Sequence, residues 1–118
     1  MGITPAHVVI GTMVDTNSTT GVSAGQFQWD SDEFQDGNIG LRLVFKTESA
    51  SAVCTVELIK VGETPSLLKT MTTTSTDFVM VTEELDLNSG GNGIYEVRVY
   101  TTNSSFFVIL ASAELVIS

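Results

Sequence analysis

Ile39-Gly40-Leu41-Arg42-Leu43-Val44-Phe45-Lys46 is the stretch that decides the fold. Leu41, Leu43 and Phe45 stand at one parity, and Arg42, Val44 and Lys46 at the other. Successive side chains leave a β-strand on opposite sides, so a period of two marks a strand with one buried face. The rhythm returns in residues 94–102, where Tyr95, Val97 and Val99 are expected inward and Glu96, Arg98 and Tyr100 outward. It returns again in residues 106–117, where Ile109, Ala111, Ala113, Leu115 and Ile117 are expected to share a face. No segment carries a helical stripe.

Working outward, further strands are expected at residues 7–14, 27–29, 52–61, 67–74 and 77–84. Turn chemistry separates them: Gly62-Glu63-Thr64-Pro65 closes one, and Asn88-Ser89-Gly90-Gly91-Asn92-Gly93 supplies residues that tolerate positive φ. About eight strands with regular turns predict an all-β, antiparallel, jelly-roll-like sandwich rather than a barrel, because the strands are long and the loops uneven. The polar stretch 15–26 breaks the rhythm. Residues 1–26 are therefore expected to form an extended N-terminal arm, and residues 27–118 the sandwich domain.

The 118 residues suit one domain with a real core. Five basic residues (Arg42, Lys46, Lys60, Lys69, Arg98) stand against 14 acidic ones, for a net charge of -9. Without a basic cluster, binding driven by phosphate contacts has nothing to act through, so neither nucleic acid nor an anionic membrane is an expected partner. The acidic excess gathers in loops, chiefly 30–36 and 83–86. Residues 1–7 lack the charged and apolar regions of a signal peptide, which predicts a product that folds in the cytoplasm where it is made.

Templates for catalysis fail by counting. His7 is the one histidine and Cys54 the one cysteine, too few for zinc, and no Ser sits in a nucleophile-elbow context. Cys54 shares a parity with Val56 and Leu58 and reads as a buried thiol. Gly90-Gly91-Asn92-Gly93 lacks the lysine and helix of a phosphate loop. Asp30, Asp32 and Asp36 are a weak calcium candidate, because Phe34 and the absence of a twelfth-position Glu break the usual loop spacing. Paired carboxylates for glycoside hydrolysis could be drawn only from Asp30, Asp32, Glu57 and Glu96, with few aromatics to build a cleft. The chain is not expected to be an enzyme, and no cofactor is expected. Trp29 is expected in the core, and Tyr100 is the better candidate for an exposed aromatic.

The order Gln26-Phe27-Gln28-Trp29-Asp30, Leu41-Arg42-Leu43-Val44-Phe45, Val56-Glu57-Leu58, Tyr95-Glu96-Val97-Arg98-Val99 and Ala113-Glu114-Leu115-Val116-Ile117 resembles the small jelly-roll domains of tailed-phage virions. Those domains serve as capsid decoration (cement) proteins and as fibre or baseplate modules. The rhythm is also similar to galactose-binding-like sandwiches. The first resemblance implies a structural virion protein that binds and stabilises a shell, located in the virion and partnered by the major capsid protein or other virion proteins. A homo-oligomer, favouring a trimer, goes with it. The expected partner-binding residues are Ile3, Val8 and Ile10 in the arm, with Arg98 and Tyr100 on the sandwich. The second resemblance implies a carbohydrate-binding module, such as the receptor-binding tip of a fibre. The strand reading itself predicts that Leu43→Asp or Val97→Asp, each burying an unpaired charge, costs about 3 kcal/mol or more and abolishes the cooperative thermal transition followed by circular dichroism.

Overall fold

A computed structural model describes residues 6–30, 39–87 and 91–117. Eight strands follow in order: β1 (Ala6–Thr16), β2 (Val22–Trp29), β3 (Ile39–Thr47), β4 (Cys54–Lys60), β5 (Ser66–Thr73), β6 (Val79–Glu84), β7 (Gly93–Thr101) and β8 (Val108–Ile117). They form two four-stranded sheets, with strand order β1-β8-β3-β6 in one and β2-β7-β4-β5 in the other. Every pairing is antiparallel. Most consecutive strands lie in opposite sheets, which is the wiring of a jelly-roll sandwich.

The alternation of β3 reappears as burial: Leu41, Leu43 and Phe45 are buried while Arg42, Val44 and Lys46 are half-buried on the outer face. Val56 and Leu58 of β4 and Tyr95, Val97 and Val99 of β7 meet them from the other sheet. Burying a Leu or Phe side chain stabilises by about 1.5–3 kcal/mol, so these inward rows hold the two layers together. Phe27 stacks on Tyr95 with ring centroids 5.6 Å apart. Cys54 is fully buried, and burial pushes its thiol pKa up to about 12, so it behaves as a small apolar group. In β8 the inward residues are Val108, Leu110, Ala113, Leu115 and Ile117, whereas Ile109 and Ala111 are half-buried. Ala111 is an extra residue opposite β3, between the pairs Phe45–Leu110 and Val44–Ser112, and this bulge reverses the parity expected for the first half of the strand.

Threonine has a positional role. Thr16, Thr47, Thr73 and Thr101 stand at the ends of β1, β3, β5 and β7, and each Oγ1 accepts a hydrogen bond from the backbone N–H two residues on. Such side-chain turns steer the chain out of a strand and satisfy a donor that the ladder has released. Ser18 C=O accepts from Thr101 N–H at 2.9 Å, and Ser75 C=O accepts from Thr47 N–H at 2.9 Å, so these exits are tied together at one end of the sandwich.

Residues 6–16 and 22–29 lie within the two sheets, as β1 paired with β8 and β2 paired with β7. This differs from the arm expected over residues 1–26; residues 1–5 are outside the described part. The physical reason is the edge seam. β1 carries an extra residue at Ile10 and β2 one at Ala24, and beside them Gly11 and Gly25 bring the two backbones together. A Cβ on Gly11 would overlap the Ala24 carbonyl oxygen, and one on Gly25 the Ile10 carbonyl oxygen. Gly25 also holds φ +151°, which L-residues rarely adopt. Glycines and bulges weaken the alternation that marks a strand, yet they are what close this side of the sandwich. Gly25→Ala is therefore expected to destabilise by about 2 kcal/mol or more in urea unfolding, while Gly62→Ala, where a Cβ meets nothing within 4 Å, changes stability by less than about 1 kcal/mol.

Candidate functional site

The outer faces of the two sheets differ in chemistry. On the β2-β7-β4-β5 face, the ladder places Ser23 opposite Arg98 and Gln26 opposite Glu96, with Glu57 on the far side of Arg98. Ser23 Oγ donates to Glu96 Oε2 at 3.1 Å, Gln26 Nε2 donates to the same oxygen at 2.8 Å, and Arg98 Nε donates to Oε1. Glu96 is thus buried but fully engaged. Burial alone would raise its pKa; the bonds from Arg98, Gln26 and Ser23, with the Arg98 charge, outweigh burial and hold the carboxyl below the usual glutamate range. A general acid needs the opposite shift; with Ser23 and Gln26 of β2 bonded to it, this carboxylate of β7 clamps the two strands together.

On the β1-β8-β3-β6 face, the rows run Val9–Glu114–Arg42–Thr82 and Asp15–Ile109–Lys46, the second continuing toward Phe78. Arg42 lies 3.6 Å from Glu114, and its Nε donates to Thr82 Oγ1 at 3.2 Å. The Lys46 ammonium stands over the Phe78 ring, 5.5 Å from its centroid. Val9, Met13, Phe78 and Met80 are exposed around these pairs. An open cavity of about 260 Å³ lies at one end, lined by Asp15, Lys46, Glu48, Phe107 and Ile109. The face combines exposed apolar side chains with the Arg42–Glu114 pair and the Lys46–Phe78 contact, a composition that suits contact with another protein.

The structure scatters the residues proposed from sequence. Val8 is exposed on β1, but Ile10 is buried in the core, where the bulge turns it inward, and Ile3 lies outside the described residues. Arg98 and half-buried Tyr100 share the other sheet's outer face, two positions apart on β7. Asp30 follows β2, while Asp32 and Asp36, the other residues of the calcium candidate, lie outside the described residues. Among the described residues no three His, Cys, Asp or Glu side chains group as a metal site. Trp29 is 1% exposed, which removes it as a sugar-stacking platform. No described helix is long and apolar enough to cross a membrane.

No family model and no curated protein matches the chain. Two matching solved structures cover 97% of its length. One is a structure of infectious bursal disease virus, Gx strain, with a TM-score of 0.59 and 11% identity. The other is the crystal structure of the infectious bursal disease virus VP2 subviral particle, with a TM-score of 0.53 and 12% identity. The chain spans 31% and 32% of those longer chains. At such identities the likeness is one of fold: a jelly-roll-like sandwich that those virus-particle chains share.

The Glu96 clamp has a titration signature. A carboxyl with a lowered folded pKa contributes stability that is present above its unfolded pKa and lost as pH falls through the folded value. The clamp's contribution is therefore intact at neutral pH and disappears below the ordinary glutamate value of 4.5. Glu96→Gln is expected to lower the midpoint of urea unfolding at pH 7 and to narrow the wild-type advantage as the pH drops below that value.

Proposed function

We propose that this domain is a structural component of a virion: a capsid decoration (cement) protein that binds an assembled shell and stabilises it. The observation that carries the reading is the sandwich fold, β1-β8-β3-β6 over β2-β7-β4-β5, which resembles chains of a virus and a subviral particle over nearly the whole length of this chain. The exposed apolar side chains on the first sheet's outer face support it as a contact surface, and the net charge of -9 favours protein partners over a packaged genome. A tailed-phage shell as the setting rests on the strand-rhythm resemblance alone; the matching structures come from infectious bursal disease virus. Among the described residues of the expected arm, exposed Val8, Val9 and Met13 of β1 offer apolar contact to a shell.

The test is binding to empty shells assembled from the major capsid protein of the same genome. Purified domain is expected to co-sediment with them and to raise their melting temperature, as any ligand of the assembled state does. Domain that stays in the supernatant and leaves the shell transition unmoved would refute the reading.

A further inference from the structure

The sandwich has four edge strands, β1 and β6 in one sheet and β2 and β5 in the other. β1, β2 and β5 each have a register shift in their ladders, at Ile10, Ala24 and Leu68. Bulges twist an edge away from neighbours, and β1 and β2 also close on each other at Gly11 and Gly25. β6 pairs with β3 in unbroken register from Glu84 to Val79 and contains no proline. No strand lies beyond it among the described residues.

The backbone of β6 can be assigned group by group. Leu85 N–H donates to Ile39 C=O at 2.8 Å, continuing the β3 ladder. With the two-residue repeat of an antiparallel pair, Glu83, Val81 and Val79 also aim their N–H and C=O at β3. Met80, Thr82 and Glu84 therefore aim theirs at the open edge. Their side chains stand on the outer face, where Met80 is 65% exposed, and Phe78 just before the strand is 49% exposed.

We infer that β6 pairs antiparallel with β6 of a second copy of this chain about a twofold axis through Val81, joining two sheets into one of eight strands. Charge selects this partner and register. With Val81 opposite its twin, Met80 falls opposite Thr82 and Phe78 opposite Glu84 of the second copy. Lys46 already reaches over the Phe78 ring toward the edge, and Glu84 is exposed at the other end of β6 on the same face. Two strand spacings, about 10 Å, separate the Lys46 and Glu84 backbones across the joint, a gap their two side chains span together. The axis repeats the pair, so two Lys46–Glu84 contacts flank a central apolar pair of valines. The inference rests on the fold and not on the virion reading, and its test needs no shell.

Sedimentation of the full chain at tens of micromolar is expected to give twice the 12.6 kDa protomer mass. Met80→Pro removes an N–H that faces the open edge and none that β3 uses, so it is expected to give a monomer with an unchanged circular dichroism spectrum. Lys46→Glu weakens the dimer by about tenfold or more, and the Lys46→Glu, Glu84→Lys double variant restores it. Val81→Cys forms an intermolecular disulfide under mild oxidation, because facing Cα atoms at a non-hydrogen-bonded site lie about 4.5 Å apart. A monomeric or trimeric wild type, a charge swap that fails to restore pairing, or a Val81→Cys variant that does not cross-link would overturn the proposal.

Discussion

An antiparallel sheet leaves a row of unpaired N–H and C=O groups along each outer strand, and a two-sheet sandwich must deal with four such rows. That constraint organises this protein. At one side β1 and β2 approach so closely that only glycine fits at Gly11 and Gly25, and the extra residues at Ile10 and Ala24 bend the two strands into the seam. At the other side β5 and β6 are joined by Lys69 and Glu83, 2.8 Å apart, while β5 is broken by its own register shift. The β6 backbone keeps an unbroken register with β3, and no strand lies beyond it among the described residues.

The division of labour between the two outer faces follows. The face bearing Ser23, Gln26, Glu96 and Arg98 spends its polar groups on one another, locking β2 to β7. The opposite face pairs Arg42 with Glu114, sets Lys46 over Phe78, and leaves apolar side chains exposed around them. One outer face is thus locked by its own hydrogen bonds, and the other carries exposed apolar side chains beside the β6 edge. The virion proposal draws on the outer face of the β1-β8-β3-β6 sheet and the twofold pairing on its β6 edge, and the two share Lys46, Phe78 and Met80.

How much of this is legible in the sequence depends on how regular each strand is. β3 and β7 bury one parity along most of their length, so alternation alone places Leu41, Leu43, Phe45, Tyr95, Val97 and Val99 in the core. β2 reads as a strand only over residues 27–29, because Ser23, Ala24 and Gly25 are small residues with little strand signal; their size is what the seam requires. Ile10 resembles an arm contact for the same reason. In β8 the Ala111 bulge shifts the phase, which no count of apolar residues reveals. The Glu96 clamp is illegible because its partners Ser23 and Gln26 lie 73 and 70 residues away and meet it only through the β2–β7 register.

The open β6 edge is the claim on which the interaction account turns, and backbone amide hydrogen exchange followed residue by residue by NMR addresses it directly. In dilute solution the amides of Val79, Val81, Glu83 and Leu85 should be slow and those of Met80, Thr82 and Glu84 fast, as their pairing with β3 dictates. Raising the protein concentration should slow the second set while leaving β1, β2 and β5 unchanged. Protection of Met80, Thr82 and Glu84 already complete at low concentration, or concentration-dependent protection that appears on β1 or β5 instead, would contradict it.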